Sequence, residues 1–132
     1  MIVAYIDGGS RGNPGPAGYG VRVESPEGEA LAEFHAAIGI ATNNVAEYNG
    51  LIAALRFLSE QGHRRALVRS DSELLVKQMR GEYRVKNPGL FPLYQEAKRI
   101  AAGFESLRFE HVRRERNAHA DRLANTAMDE AR

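Results

Sequence analysis

The chain contains no cysteine. That excludes disulfide bridges, thiolate metal centres and cysteine nucleophiles. Long apolar runs are also missing: Met1 to Ile6 is apolar but stops at Asp7, too short for a membrane span or the core of a signal peptide. A cytoplasmic protein with no membrane partner is therefore expected. Proline and glycine number 5 and 13 and follow no period, which sets aside collagen-like and disordered classes. Nor does one sign of charge dominate. The 18 Lys and Arg against 17 Asp and Glu leave a formal charge of +1, which argues against a generally basic protein that coats nucleic acid.

What is present suits one compact domain over residues 1–132, long enough to bury roughly 68% of its unfolded surface. Repeats and linkers are not visible. The near-neutral charge hides an asymmetry: residues 1–60 hold three basic and seven acidic residues, so the first part is acidic and the remainder basic. The two parts can face each other in the fold or face different partners.

Residues 2–6 are apolar on both faces, the pattern of a central buried strand. Residues 8–17, rich in Gly, Ser, Asn and Pro, read as a loop. Strands follow at Gly18 to Ser25 and Glu29 to Ile38 around a turn at Pro26-Glu27-Gly28. Thr42-Asn43-Asn44 then caps a helix whose apolar residues Tyr48, Leu51, Ile52, Leu55 and Leu58 recur at helical spacing, and Gly62 stops it. A strand at Ala66 to Ser70 precedes a short helix capped by Ser72. Gly81 to Gly89 is a polar loop, Phe91 to Ala102 a helix, and Leu107 to Val112 the last strand. Asn117 is expected to cap a final helix to about Met128. The order predicts an α/β fold: a mixed five-stranded sheet, three antiparallel strands then two parallel, with helices on both faces.

Four acids fall at telling places. Asp7 and Asp71 each end a strand, and if those strands are parallel neighbours the two lie at one sheet edge, where open α/β sheets place ligands. Glu47 and Asp121 each head an inward-facing helical stripe, in the first turn. Taken singly, each can be a turn residue or a helix-dipole partner. Four carboxylates converging at one half-buried edge would instead repel one another and lose hydration. An oxygen-seeking cation, Mg²⁺ or Mn²⁺, relieves both costs. Two such ions about 3.5–4 Å apart suit phosphoryl transfer.

Around these acids lie four motifs: Asp7-Gly8-Gly9-Ser10-Arg11-Gly12-Asn13-Pro14-Gly15, Thr42-Asn43-Asn44-Val45-Ala46-Glu47, Ser70-Asp71-Ser72 and Asn117-Ala118-His119-Ala120-Asp121. In this order, across the whole chain, they resemble the type 1 ribonuclease H family, in its short form without the basic protrusion. The resemblance implies a metal-dependent endonuclease that cuts the RNA strand of RNA–DNA hybrids and leaves 5′-phosphate and 3′-hydroxyl ends. It implies Asp7, Glu47, Asp71 and Asp121 as catalytic metal ligands for two Mg²⁺ or Mn²⁺ ions. It also places Gly8, Ser10, Asn13, Asn43 and Asn44 against the minor groove, where 2′-hydroxyls distinguish RNA from DNA, and Thr42 near a DNA phosphate. The same residues can equally serve as turns and a cap. A monomer is expected.

Departures are specific. Several members carry a loop histidine before the last helix; here the segment is His111-Val112-Arg113-Arg114-Glu115-Arg116-Asn117. Arg114 is the candidate phosphate contact there, with Glu115 and Arg116 as weaker substitutes and His111 read as structural or partly exposed. Glu73 stands where a Gln is common. Tyr83, flanked by Arg80, Arg84 and Lys86, can stack on the DNA strand or pack on the core. With no separate hybrid-binding domain in view, affinity is expected to be modest and salt-sensitive. The rival readings are another nuclease of the same superfamily, a non-catalytic hybrid-binding module and a small-molecule phosphatase.

Overall fold

The computed structural model describes residues 1–131. Its elements run β1 (Ile2–Ser10), β2 (Gly15–Glu24), β3 (Ala30–Ala41), α1 (Asn43–Glu60), β4 (Arg65–Ser70), α2 (Glu73–Met79), α3 (Phe91–Ala101), β5 (Ser106–His111), a 3₁₀ turn (Arg114–Asn117) and α4 (Ala118–Glu130). The sheet order is β3-β2-β1-β4-β5. β1 pairs antiparallel with β2 and parallel with β4, which pairs parallel with β5. The expected mixed five-stranded sheet is therefore present, with the first strand at its centre. No helix among the described residues is long and apolar enough to cross a membrane.

The loop expected over 8–17 is shorter than its composition suggests: only residues 11–14 lie outside the strands. β1 continues past Asp7 to Ser10 and β2 already begins at Gly15, because Gly8, Gly9 and Ser10 pair with Tyr19, Gly18 and Ala17. Composition marks this stretch as loop-like, but the cross-strand pairing overrides it. β3 likewise runs on to Ala41.

One sheet face is covered by α1, whose Tyr48, Leu51, Leu55 and Leu58 bury against Ala4, Ile6, Val21, Val23 and Val68. The buried Tyr48 hydroxyl is satisfied by donating to Gln78 Oε1 at 2.6 Å. α4 covers the other face. The two helices approach closely enough to dictate glycine. A Cβ on Gly8 would lie 2.4 Å from the Ala46 carbonyl carbon in α1, and one on Gly20 would lie 2.5 Å from Leu123 Cβ in α4.

Asn117 does not cap α4 as expected: no capping hydrogen bond from its side chain is present among the described residues. The residue closes the 3₁₀ turn, and its buried Nδ2 donates to the Ile6 carbonyl at 2.9 Å. The side chain thus ties the start of α4 to β1 one residue before Asp7. The seating of α4 yields a stability prediction. Gly20→Ala should cost about 1–3 kcal/mol by overpacking, read as a lower urea midpoint; an unchanged midpoint would show that α4 is not seated this closely.

Candidate active site

The parallel ladder between β1 and β4 ends at Ile6–Ser70. The next residue on each strand is Asp7 and Asp71, so the two emerge side by side. Asp71 is held in a turn by two serines: Ser70 Oγ accepts from the Ser72 N–H at 3.0 Å, and Ser72 Oγ accepts from the Leu75 N–H at 3.3 Å. Glu47 arrives from α1, which lies against Gly8. It stands in the second turn, not the first, because the helix begins at Asn43 behind the Thr42 cap, whose Oγ1 accepts from Val45 N–H at 3.2 Å.

Carboxylate oxygens of Asp7, Glu47 and Asp71 all lie within 4.8 Å of one another. Asp121, in the first turn of α4, lines the same cleft of about 630 Å³. Burial pushes the Asp7 carboxyl up to about 8, with Asp71 and Asp121 adding to the rise and the Gly8 N–H opposing it. Burial, then the charges of Asp7 and Asp71, raises Glu47 well above its usual range. Asp71 is raised by burial too, against the pull of Arg114.

Glu47 Oε2 is buried and has no hydrogen-bond partner among the described residues. A buried orphan acceptor beside two further carboxylates is costly as protein alone. The all-oxygen donor set fits a hard divalent cation such as Mg²⁺ or Mn²⁺.

Other residues singled out in the sequence separate into groups. Gly8, Ser10 and Asn43 line the cleft with the acids. The Ser10 N–H and hydroxyl both donate to Asn43 Oδ1, at 2.8 and 3.1 Å, and Asn13 Oδ1 accepts from the Asn43 N–H at 3.0 Å. Asn13 and Thr42 therefore both serve the N-terminus of α1, while Asn44 is exposed beside it. Arg114 Nη2 lies 3.7 Å from Asp121 Oδ1 at the rim, with its side chain 77% exposed. Glu115 shares that rim, and Arg116 faces a different hollow.

Tyr83 stands apart from the acids. Half its surface is exposed, Lys77 Nζ sits 4.9 Å above its ring, and Leu74, Arg84 and Lys86 surround it. It is not packed into the core.

The cleft is also lined by His111, Arg11, Arg113 and Asn125. His111 sits at the end of β5, the strand next to β4, and that register was the signal that could have placed it here. Arg11 is anchored to α4 by Asp129 Oδ1 at 3.0 Å, a contact no sequence spacing announces.

A family described as reverse transcriptase-like matches residues 5–127. The bifunctional protein Rv2228c of Mycobacterium tuberculosis is 53% identical over 131 residues, which cover 98% of this chain and 36% of that protein. The chain thus spans about a third of the curated relatives it first matches. The crystal structure of RNase H1 from the archaeon Halobacterium salinarum superposes with a TM-score of 0.94 at 43% identity, covering 98% of both chains. LC11-RNase H1, solved in complex with an RNA/DNA hybrid, gives a TM-score of 0.94 at 46% identity, covering 99% of both.

The raised carboxyls set the pH dependence of the metal-free protein. A group whose folded pKa lies above its unfolded value stabilises the fold at low pH and ceases to as pH rises through the folded value. Between pH 5 and 8 in EDTA, the melting temperature should fall, and Asp7→Asn should flatten that fall and melt above the native chain at pH 8. Thermal unfolding checks this; a native chain as stable at pH 8 as at pH 5 would contradict it.

Proposed function

Because the chain belongs to the type 1 ribonuclease H family, we propose that it hydrolyses the RNA strand of RNA–DNA hybrids. The products carry 5′-phosphate and 3′-hydroxyl ends. The observation that carries this reading is the meeting of Asp7, Glu47 and Asp71 within 4.8 Å, with Asp121 on the same cleft. Such a cluster has little purpose in a binding module that lacks chemistry. One chain supplies all four acids, so the cluster is complete without a second copy.

In this reading Asp7, Glu47, Asp71 and Asp121 hold two Mg²⁺ or Mn²⁺ ions. Bound there, the ions supply positive charge that activates water and stabilises the leaving 3′ oxygen. The protein's own groups position the substrate. Arg114, held only loosely at the rim, is free to turn from Asp121 to the scissile phosphate.

Asn43 Oδ1 is occupied by Ser10, which leaves the Asn43 amide donors for a 2′-hydroxyl of the RNA strand. Gly8 and Ser10 line the same cleft, Asn13 supports it by holding the Asn43 N–H, and Asn44 stands exposed beside it to meet the same groove. At the N-terminus of α1 the Asn43 and Val45 N–H groups are already taken, so the Thr42 hydroxyl, which keeps its own hydrogen to donate, and the Asn44 N–H are the groups that meet a phosphate of the DNA strand. Tyr83, with Lys77, Arg84 and Lys86, provides a stacking face and cations further along that strand.

The decisive assay uses labelled hybrid, duplex RNA and duplex DNA, each with Mg²⁺, Mn²⁺ or EDTA. Only the RNA of the hybrid should be cut, and EDTA should abolish cutting. Asp7→Asn should lose about 10³-fold in kcat or more, and Arg114→Ala about tenfold. Equal cutting of duplex DNA, cutting that survives EDTA, or a fully active Asp7→Asn would each overturn the reading.

A further inference from the structure

One step below the carboxylates, a row of side chains links three strands. Tyr5 and Arg69 are partners across β1 and β4, and Arg69 and Glu110 are partners across β4 and β5. Arg69 Nη1 donates to Tyr5 Oη at 2.8 Å and Arg69 Nε donates to Glu110 Oε1 at 2.7 Å. The guanidinium also lies 5.6 Å from the centre of the Tyr5 ring.

Side chains alternate faces along a strand. Asp7 and Asp71, two residues on, therefore follow Tyr5 and Arg69 on this face. The backbone ladder between β1 and β4 stops at Ile6–Ser70, one residue short of Asp7 and Asp71, so the two acids start side by side and their spacing beyond that pair depends on what braces the strand ends. The Tyr5–Arg69–Glu110 row is the last side-chain tie on that face before the gap opens. Val112 and Arg116 close a small cavity over it, so the row also abuts the segment that carries Arg114.

We propose that Arg69 is a positioning residue that sets the separation of Asp7 and Asp71 and, through it, the affinity of the carboxylate cluster for divalent cations. The inference rests on the reading of that cluster as a cation site. Stability alone does not account for the row. The Arg69 and Glu110 side chains are 31% and 46% exposed, and ion pairs so open to water add little to folding. What the planar guanidinium offers is two donors held in fixed directions, one toward β1 and one toward β5. A lysine ammonium cannot hold both at once with the same rigidity.

The test measures Mg²⁺ binding by calorimetry and steady-state cleavage of hybrid for the native chain, Arg69→Met, Arg69→Lys and Tyr5→Phe. Partners that touch a ligating group typically govern about 10- to 100-fold in metal affinity, and Arg69 acts one step further out, so the lower end applies. Both Arg69 variants should bind Mg²⁺ about tenfold more weakly and lose a similar factor in kcat, with KM for hybrid changed by less than about twofold. Tyr5→Phe keeps the ring and removes only the hydroxyl, so it tests the tie in a folded chain and should weaken Mg²⁺ by about threefold.

Native Mg²⁺ affinity in folded Arg69→Met or in Tyr5→Phe would overturn the proposal. Full rescue by Arg69→Lys would overturn it too, since charge and not the two-way tie would then be the cause. A native chain that binds Mg²⁺ but cuts no hybrid would overturn the reading of function and leave this inference standing on the binding data. A native chain that binds no Mg²⁺ would overturn both.

Discussion

The structure is organised around a repulsion. The parallel pairing of β1 with β4 ends at Ile6 and Ser70, so Asp7 and Asp71 emerge together, and α1 brings Glu47 to within 4.8 Å of both. As protein alone this arrangement loses hydration and gains like-charge contact, and the raised Asp7, Glu47 and Asp71 carboxyls register both. The rest of the fold keeps the acids from moving apart. Gly8 lets α1 descend onto β1, Gly20 lets α4 descend onto β2, and Asn117 ties the start of α4 to the Ile6 carbonyl. Each contact lies within a residue or two of an acid in sequence or in sheet register, so packing and site geometry are set by the same residues.

Charge follows the same logic at larger scale. A formal +1 over the whole chain looks unsuited to a polyanionic partner. Four of the acids, however, belong to the cleft, and outside those four the chain carries 18 basic residues against 13 acidic ones. Arg11, Arg113 and Arg114 stand around the same cleft, and Tyr83 sits among Lys77, Arg84 and Lys86 further off. A near-neutral chain can therefore present an acidic centre framed by basic groups. Such a surface attracts phosphates at its rim and accepts cations at its middle.

Much of this was legible before any coordinates. The apolar run at 2–6 announced the central strand, and acids read at the ends of two strands announced a shared edge, although β1 itself runs on past Asp7 to Ser10. What the residues did not disclose depended on partners distant in sequence. The Gly-rich stretch after Asp7 looks like a loop because glycine and proline are turn formers. Its first two glycines, Gly8 and Gly9, instead lie in β1 with α1 and α4 close to them, while Gly12, at φ +82°, keeps to the bend that joins β1 to β2. Asn117 sits where a cap belongs, yet its amide is used 111 residues away in sequence on β1. His111 and Arg11 enter the cleft through strand register and a helix contact, and neither has a local pattern. Glu47 was assigned to the right helix but one turn early, because the cap at Thr42 starts the helix immediately.

In the proposed function, Asp7, Glu47 and Asp71 crowd together because they share divalent cations. A crystal structure grown with Mn²⁺, with the metal located by its anomalous scattering, addresses this most directly. The account predicts Mn²⁺ in direct contact with carboxylate oxygens of Asp7, Glu47 and Asp71, with the orphan Glu47 Oε2 among the ligands. Mn²⁺ bound elsewhere while the three carboxylates stay together and metal-free would contradict it.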